Sequence, residues 1–220
     1  MRLSRRLAAA VLLVGVGRLL SPDGVPVYDG IGAPDEPYRY VAPPAGVTKT
    51  ADATTAHATS PIVKGKSSYG MSLATAEVGP QFSLFVPPMA FAAPGTSLEI
   101  TAVPAAPTDQ PPGARIDGNV YTVSIKAAGP VTLTPQAALA TLYLRSTTVK
   151  QPGPTMQYRA AGESGWTAIK TSRGGQDIYV SAFPGAGSYA LAFTRTVAPE
   201  GGSSTLPYVV IGVVLLLGVV

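Results

Sequence analysis

The 220-residue chain contains no cysteine and a single histidine, His57. The first absence excludes disulfide frameworks, thiol nucleophiles and cysteine-ligated zinc or iron–sulfur centres; the second excludes sites built from several imidazoles. Only carboxylate and hydroxyl chemistry is left. Charge is scarce as well, at 13% of residues, and the net charge of +4 comes entirely from Arg2, Arg5, Arg6 and Arg18. Beyond residue 18 acidic and basic residues balance. No basic surface remains to neutralise phosphates, so nucleic acid is excluded as an expected partner. Long helices are excluded by what is abundant: 24 glycines and 22 prolines form about a fifth of the chain, against a usual share of about 12%.

Both ends are apolar. Arg2, Arg5 and Arg6 precede an uncharged run from Leu7 to Gly17, the arrangement of an export signal. Arg18 interrupts that run and no Ala-x-Ala triplet precedes Ser21, so residues 1–20 read as a signal peptide or a retained anchor. At the other end residues 206–220, LPYVVIGVVLLLGVV, carry no charge and follow a flexible Gly/Ser/Thr-rich stalk at 196–205. At about 1.5 Å per residue the segment reaches about 22 Å, short of the roughly 30 Å hydrocarbon layer. It reads as a membrane helix, either a short tail anchor or part of a longer span. The expectation is a single-pass protein of the cell membrane whose folded part lies on the extracytoplasmic face.

Between the ends the composition changes several times. Residues 21–41 hold Tyr28, Tyr38 and Tyr40 among Asp-Gly pairs and prolines, which predicts an extended arm that packs across a domain or adds to a partner. Residues 42–67, rich in Ala, Thr and Pro, offer too little apolar surface to offset the entropy of ordering and read as a linker. From residue 68 to 195 the period is two. Phe82, Leu84 and Val86 alternate with Gln81, Ser83 and Phe85, and the same pattern recurs at Leu98 to Val103 and at Val120 to Ile125. Further short strands follow at roughly even spacing, with turn formers between. Asp117-Gly118 suits a tight primed turn, and residues 184–187, Pro-Gly-Ala-Gly, suit a longer hairpin loop. Many short strands joined by hairpins predict an all-β fold, an antiparallel sandwich.

Two stretches carry a family resemblance. Residues 79–91, GPQFSLFVPPMAF, followed by Gly95-Thr96-Ser97-Leu98-Glu99-Ile100, resemble the opening hairpin of the ZU-type β-sandwich shared by ankyrins, netrin receptors and zonula occludens proteins. The family pattern there is a strand ending in Ile-Pro-Pro-Gly-Ala-Leu and then a second strand; Met89 stands where the family has Gly. Residues 129–135, GPVTLTP, before Ala140-Thr141-Leu142, resemble the later part of such domains. Some relatives cleave themselves at a His-Phe-Ser triplet, and this sequence contains none. The resemblance implies an interaction or structural module without catalysis. The bias toward Ala, Gly, Pro and Arg, with Asn119 the single asparagine, resembles high-GC actinobacterial sequences and implies an envelope protein.

The residues give no stronger sign of chemistry. His57 falls in the expected linker, where a catalytic base would lack rigid neighbours. Asp23, Asp29, Asp35 and Glu36 have no calcium-loop spacing. Glu99, Glu163 and Asp177 would act as an acid/base pair only if the fold brought two of them together. No catalytic, metal or cofactor residues are expected. The candidate partner-binding residues are Tyr28, Tyr38, Tyr40 and Trp166, the one tryptophan. A partner envelope protein would meet the arm or a sheet edge, whereas an envelope glycan would stack on Trp166 or on Tyr158, Tyr179 and Tyr189 if those rings line an outward face.

Overall fold

The structure, a computed structural model, describes residues 36–195. The signal or anchor at 1–20, Tyr28 with the first part of the arm, the stalk at 196–205 and the apolar segment at 206–220 lie outside the described residues. Among the described residues no helix is long and apolar enough to cross a membrane.

The chain forms two antiparallel sheets. The first seven strands are β1 (Ala56–Val63), β2 (Lys66–Ser67), β3 (Met71–Ala74), β4 (Phe82–Val86), β5 (Phe91–Ala92), β6 (Ser97–Ala105) and β7 (Ala114–Lys126). After β8 (Thr132–Leu133) comes a 3-10 turn at Pro135–Leu139, capped by the Thr134 hydroxyl. The remainder is β9 (Thr141–Arg145), β10 (Thr155–Ala160), β11 (Thr167–Ala168), β12 (Ser172–Arg173), β13 (Ile178–Ala182) and β14 (Gly187–Thr194). One sheet runs β11-β10-β14-β7-β6-β1-β2-β5-β8 and the other β12-β13-β9-β4-β3.

The period-two pattern decides how they face. Phe82, Leu84 and Val86 of β4 point inward with Leu142 and Leu144 of β9, and meet Leu98, Ile100 and Ala102 of β6 and Tyr121 and Val123 of β7. One core drawn from both sheets makes this a β-sandwich. Each large side chain buried there contributes about 1.5–3 kcal/mol.

Several expectations are corrected. The stretch 42–67 is not all linker: β1 and β2 lie within it, and β1 pairs with β6 from Ala56↔Ala102 to Pro61↔Ser97. Its inward residues Ala56, Ser60 and Ile62 are mostly small, so composition hides a strand whose order comes from the ladder. Lys64 and Gly65, at φ of 51° and 73°, make the tight turn from β1 into β2. Asp117-Gly118 is no hairpin turn. It sits inside β7, where the pairing with β14 slips between Tyr189↔Tyr121 and Leu191↔Asp117. Gly118 does take a positive φ, 84°, but spends it on a bulge. Residues 184–187 likewise carry the chain from β13 in one sheet to β14 in the other, so no hairpin forms there. The same holds for residues 87–96: β4 and β6 belong to different sheets, and the expected opening hairpin is a crossover.

Candidate functional site

Buried polar groups mark where a sandwich does something other than exclude water, because each needs a partner to offset desolvation. Here four of the larger ones lie under the arm. Gln81, Asn119, Glu77 and Arg145 are all at most 3% exposed, and they come from three separate parts of the fold. Glu77 and Gln81 lie in the β3–β4 connection, Gln81 directly before β4, Arg145 ends β9 and Asn119 rides on the β7 bulge. Gln81, which alternates with the inward residues of β4, is nevertheless 0% exposed because the arm covers it.

The arm is held by its backbone. The Asn119 amide donates to the Arg39 carbonyl at 2.8 Å and accepts from the Val41 N–H at 2.9 Å. Gln81 repeats this from the other side. With its oxygen toward the Arg39 N–H, its amide nitrogen donates to the Arg39 carbonyl and to the Tyr121 hydroxyl, each at 3.1 Å. Two side-chain amides thus satisfy the arm as a neighbouring strand would, although the arm joins neither sheet.

Around this clamp the arm is seated at both sides. The Glu36 carboxylate accepts from the Val78 N–H at 3.0 Å and pairs with the Arg39 guanidinium at 3.0 Å. Arg145 donates to the Gly79 carbonyl at 2.5 Å and the Glu36 carbonyl at 3.4 Å, and its guanidinium lies 5.4 Å from the centre of the Tyr38 ring. The Tyr38 hydroxyl accepts from the Asn119 N–H at 3.0 Å. Burial raises this phenol well above its usual range, so it stays neutral. Its ring rests on Gly118, where a Cβ would come within 2.4 Å of the hydroxyl oxygen. The Tyr40 ring sits 4.8 Å from that of Tyr38.

The bulge has a third contact. Asp117 accepts from the Ser146 hydroxyl at 2.6 Å, from the Thr147 N–H at 2.9 Å and from the Thr147 hydroxyl, hanging the loop after β9 on β7. Within Asp117-Gly118-Asn119 the first residue ties the two sheets, the second makes room for Tyr38 and the third grips the arm. Deeper still, Glu77 accepts from the Thr54 N–H and hydroxyl at 2.9 Å each, while its second oxygen makes no geometric hydrogen bond among the described residues. Burial by itself would raise this carboxyl, but hydrogen bonds from Thr75 and Thr54 hold it below the usual range.

Trp166 is elsewhere. It packs on a second small cluster, Ala114, Ile116, Val120, Ala190 and Ala192, formed by β7 and β14. Its indole N–H donates to Asp109 at 2.7 Å, and Arg159 both grips Asp109, at 3.0 and 2.9 Å, and covers the indole with its guanidinium 4.5 Å from the ring centre. Burial would raise the Asp109 carboxyl; the indole and the guanidinium hold it below its usual range. The group latches the β6–β7 loop onto the sheet. Tyr179 and Tyr189 are 3% and 0% exposed and belong to the core, whereas Tyr158 is half-buried and lines a surface cavity beside Ile125, Val131 and Pro184, so the three rings do not share an outward face.

The remaining candidates are dispersed. His57 lies on β1, not in a linker, with its Nε2 3.3 Å from Glu99 Oε1 and both side chains about half exposed. Glu163 is exposed in the loop before Trp166. Asp177 lies 4.0 Å from the Arg145 guanidinium; burial raises its carboxyl although Arg145 opposes this. Each of the three carboxylates therefore has its own surroundings. Among the described residues no group of three or more acidic or histidine side chains converges as a metal site.

Sequence reasoning placed Tyr38 and Tyr40 in the arm but missed the residues that receive it. A signal was available in Asn119, the single asparagine, lying directly after an Asp-Gly pair in a strand-like run. No signal existed for Gln81, whose burial depends on a segment distant in sequence. No protein-family model and no curated protein sequence matches the chain.

Proposed function

We propose that this chain is a non-enzymatic, membrane-tethered binding or scaffolding module of the extracytoplasmic face, acting through protein–protein interaction on a ZU-like sandwich. The observation that carries the reading is the amide clamp: Gln81 and Asn119 engage the main chain of Arg39 and Val41, which is how a module recognises an extended peptide. Met89 supports the resemblance, since at φ 60° it adopts the left-handed conformation that glycine favours, at the place where the family has glycine. The outer face of the five-stranded sheet supports a protein partner too. Its outward residues Ser72, Ser83, Phe85, Thr141, Tyr143 and Val180 include no charge, and Phe85 is 51% exposed. A glycan reading has less to stand on, because Trp166 lies under Arg159 and Tyr179 and Tyr189 are packed inward.

The test is made on cells expressing the full gene with a tag in the exposed stretch 44–50. Surface proteolysis of the tag, and cross-linking to a second protein that Asn119→Ala weakens, are the expected results. A tag protected in intact cells, or cross-links indifferent to Asn119, would overturn the reading.

A further inference from the structure

The clamp that holds the arm is indifferent to which molecule the arm belongs to. We infer that the slot also receives the Glu36–Val41 segment of a second copy, so that two chains exchange arms; this rests on the peptide-recognition reading above and names the peptide. Three observations carry it.

First, the contacts are directed at main-chain groups, at Tyr38 and at the Glu36 carboxylate, all within six consecutive residues, and none belongs to a sheet ladder. Releasing the arm breaks no strand pairing. Secondly, the segment joining the arm to β1 is free enough to move with it. Residues 44–50 are all exposed, and the hydrogen bonds of the stretch 42–53 stay within the arm and tether, Val47 N–H to Pro44 and Arg39 to Asp52. Fixed contact with the body resumes at Thr54, on Glu77. Fully extended, such a tether spans about 40 Å, enough to reach a neighbouring body. Thirdly, the exchange is symmetric. In a closed pair each slot is filled and each arm is held, so the only uncompensated cost is association, which falls as local concentration approaches the effective concentration of the tethered arm, on the order of mM.

The absence of cysteine makes the test direct. Pro37 and Val78 are both exposed and flank the contact between Glu36 and the Val78 N–H. Three full-length proteins are prepared: Pro37→Cys alone, Val78→Cys alone, and the two together. They are treated with a short bis-maleimide at increasing protein concentration. The double variant should cross-link within one chain at every concentration. An equimolar mixture of the single variants should give an arm-to-body heterodimer that rises with concentration. It should fall at least fivefold when the Val78→Cys chain also carries Asn119→Ala, or when a synthetic peptide of residues 36–43 is added in excess; the same peptide with Ala in place of Tyr38 should not compete. Cross-linking in the double variant without any heterodimer from the mixture would overturn exchange and leave peptide recognition standing. Failure of the double variant to cross-link would overturn both. A heterodimer that neither Asn119→Ala nor the peptide reduces would mean that the copies meet elsewhere, and exchange would again be wrong.

Discussion

At the centre of the sandwich and beneath the arm the chain buries side chains of opposite kinds. Between the sheets Phe82, Leu98, Ile100 and Leu142 are 0% exposed and make only dispersion contacts. Beneath the arm Gln81, equally buried, is held by directional hydrogen bonds to the Arg39 main chain and the Tyr121 hydroxyl. The apolar region stabilises the fold whatever the arm does. The polar region depends on the arm, since without it the Gln81 and Asn119 amides must exchange their main-chain partners for water. Buried polar groups that grip an extended segment are therefore a better candidate for a binding site than Trp166, which packs beneath Arg159.

The comparison is broken most severely from the apolar side. Ile100→Ala removes a fully buried side chain shared by both sheets and should cost about 3–4 kcal/mol in denaturant unfolding, with the arm and body lost in one transition. A loss under about 1 kcal/mol would mean that the two sheets do not share this core.

Asn119→Ala should act differently. It removes the donor to Arg39 and the acceptor from Val41, at a cost of about 1–2 kcal/mol. That cost should appear as arm release before global unfolding: hydrogen exchange should quicken at the Arg39 and Val41 amides while the β6 and β7 amides keep their protection. Equal acceleration in β6 would show that slot and core form one cooperative unit.

How much of this could be read in advance differs between the two regions for the same reason. Alternation at Phe82–Val86, Leu98–Ala102 and Tyr121–Ile125 announced the core, because each strand carries its own inward face in its own sequence. Positive φ at Gly118 was legible as well, but whether it served a hairpin or a bulge depended on whether β14 lay alongside. The small inward residues of β1 left no periodic trace. The slot was least legible of all, since Gln81 and Asn119 become a clamp only when Arg39 is laid between them. Strand periodicity is local information; recognition of one segment by another is not.

A smaller effect separates charge from packing within the slot. Glu77 titrates lower in the folded chain than in the unfolded one, so it contributes stability at neutral pH that is lost as the pH falls through the ordinary carboxylate range. Glu77→Gln keeps the acceptor for Thr54 but cannot ionise. From pH 7 to pH 3 the parent should lose more stability than the variant, by denaturant midpoint at each pH. A gap between the two that does not change with pH would show that the Thr54 and Thr75 contacts do not favour the ionised form.

The smallest effect reverses sign. Met89 is half exposed and held at φ 60° because its N–H donates to the Ser67 carbonyl at 2.7 Å while its own carbonyl accepts from the Thr134 hydroxyl at 2.5 Å. Those two bonds fix the backbone from both sides, and a residue with a Cβ then carries the strain of the left-handed region, on the order of 1 kcal/mol. Met89→Gly removes the strain but gives the unfolded chain more freedom, so the two changes oppose each other. Relief should exceed the entropy, because the conformation is imposed by the crossover from β4 to β5 and not by the side chain. We expect a gain of up to about 1 kcal/mol in unfolding free energy, whereas Gly118→Ala, which also meets Tyr38, should lose stability. A loss on Met89→Gly would mean that the methionine side chain packs productively where it now stands, and the likeness of this turn to a glycine position would carry no weight.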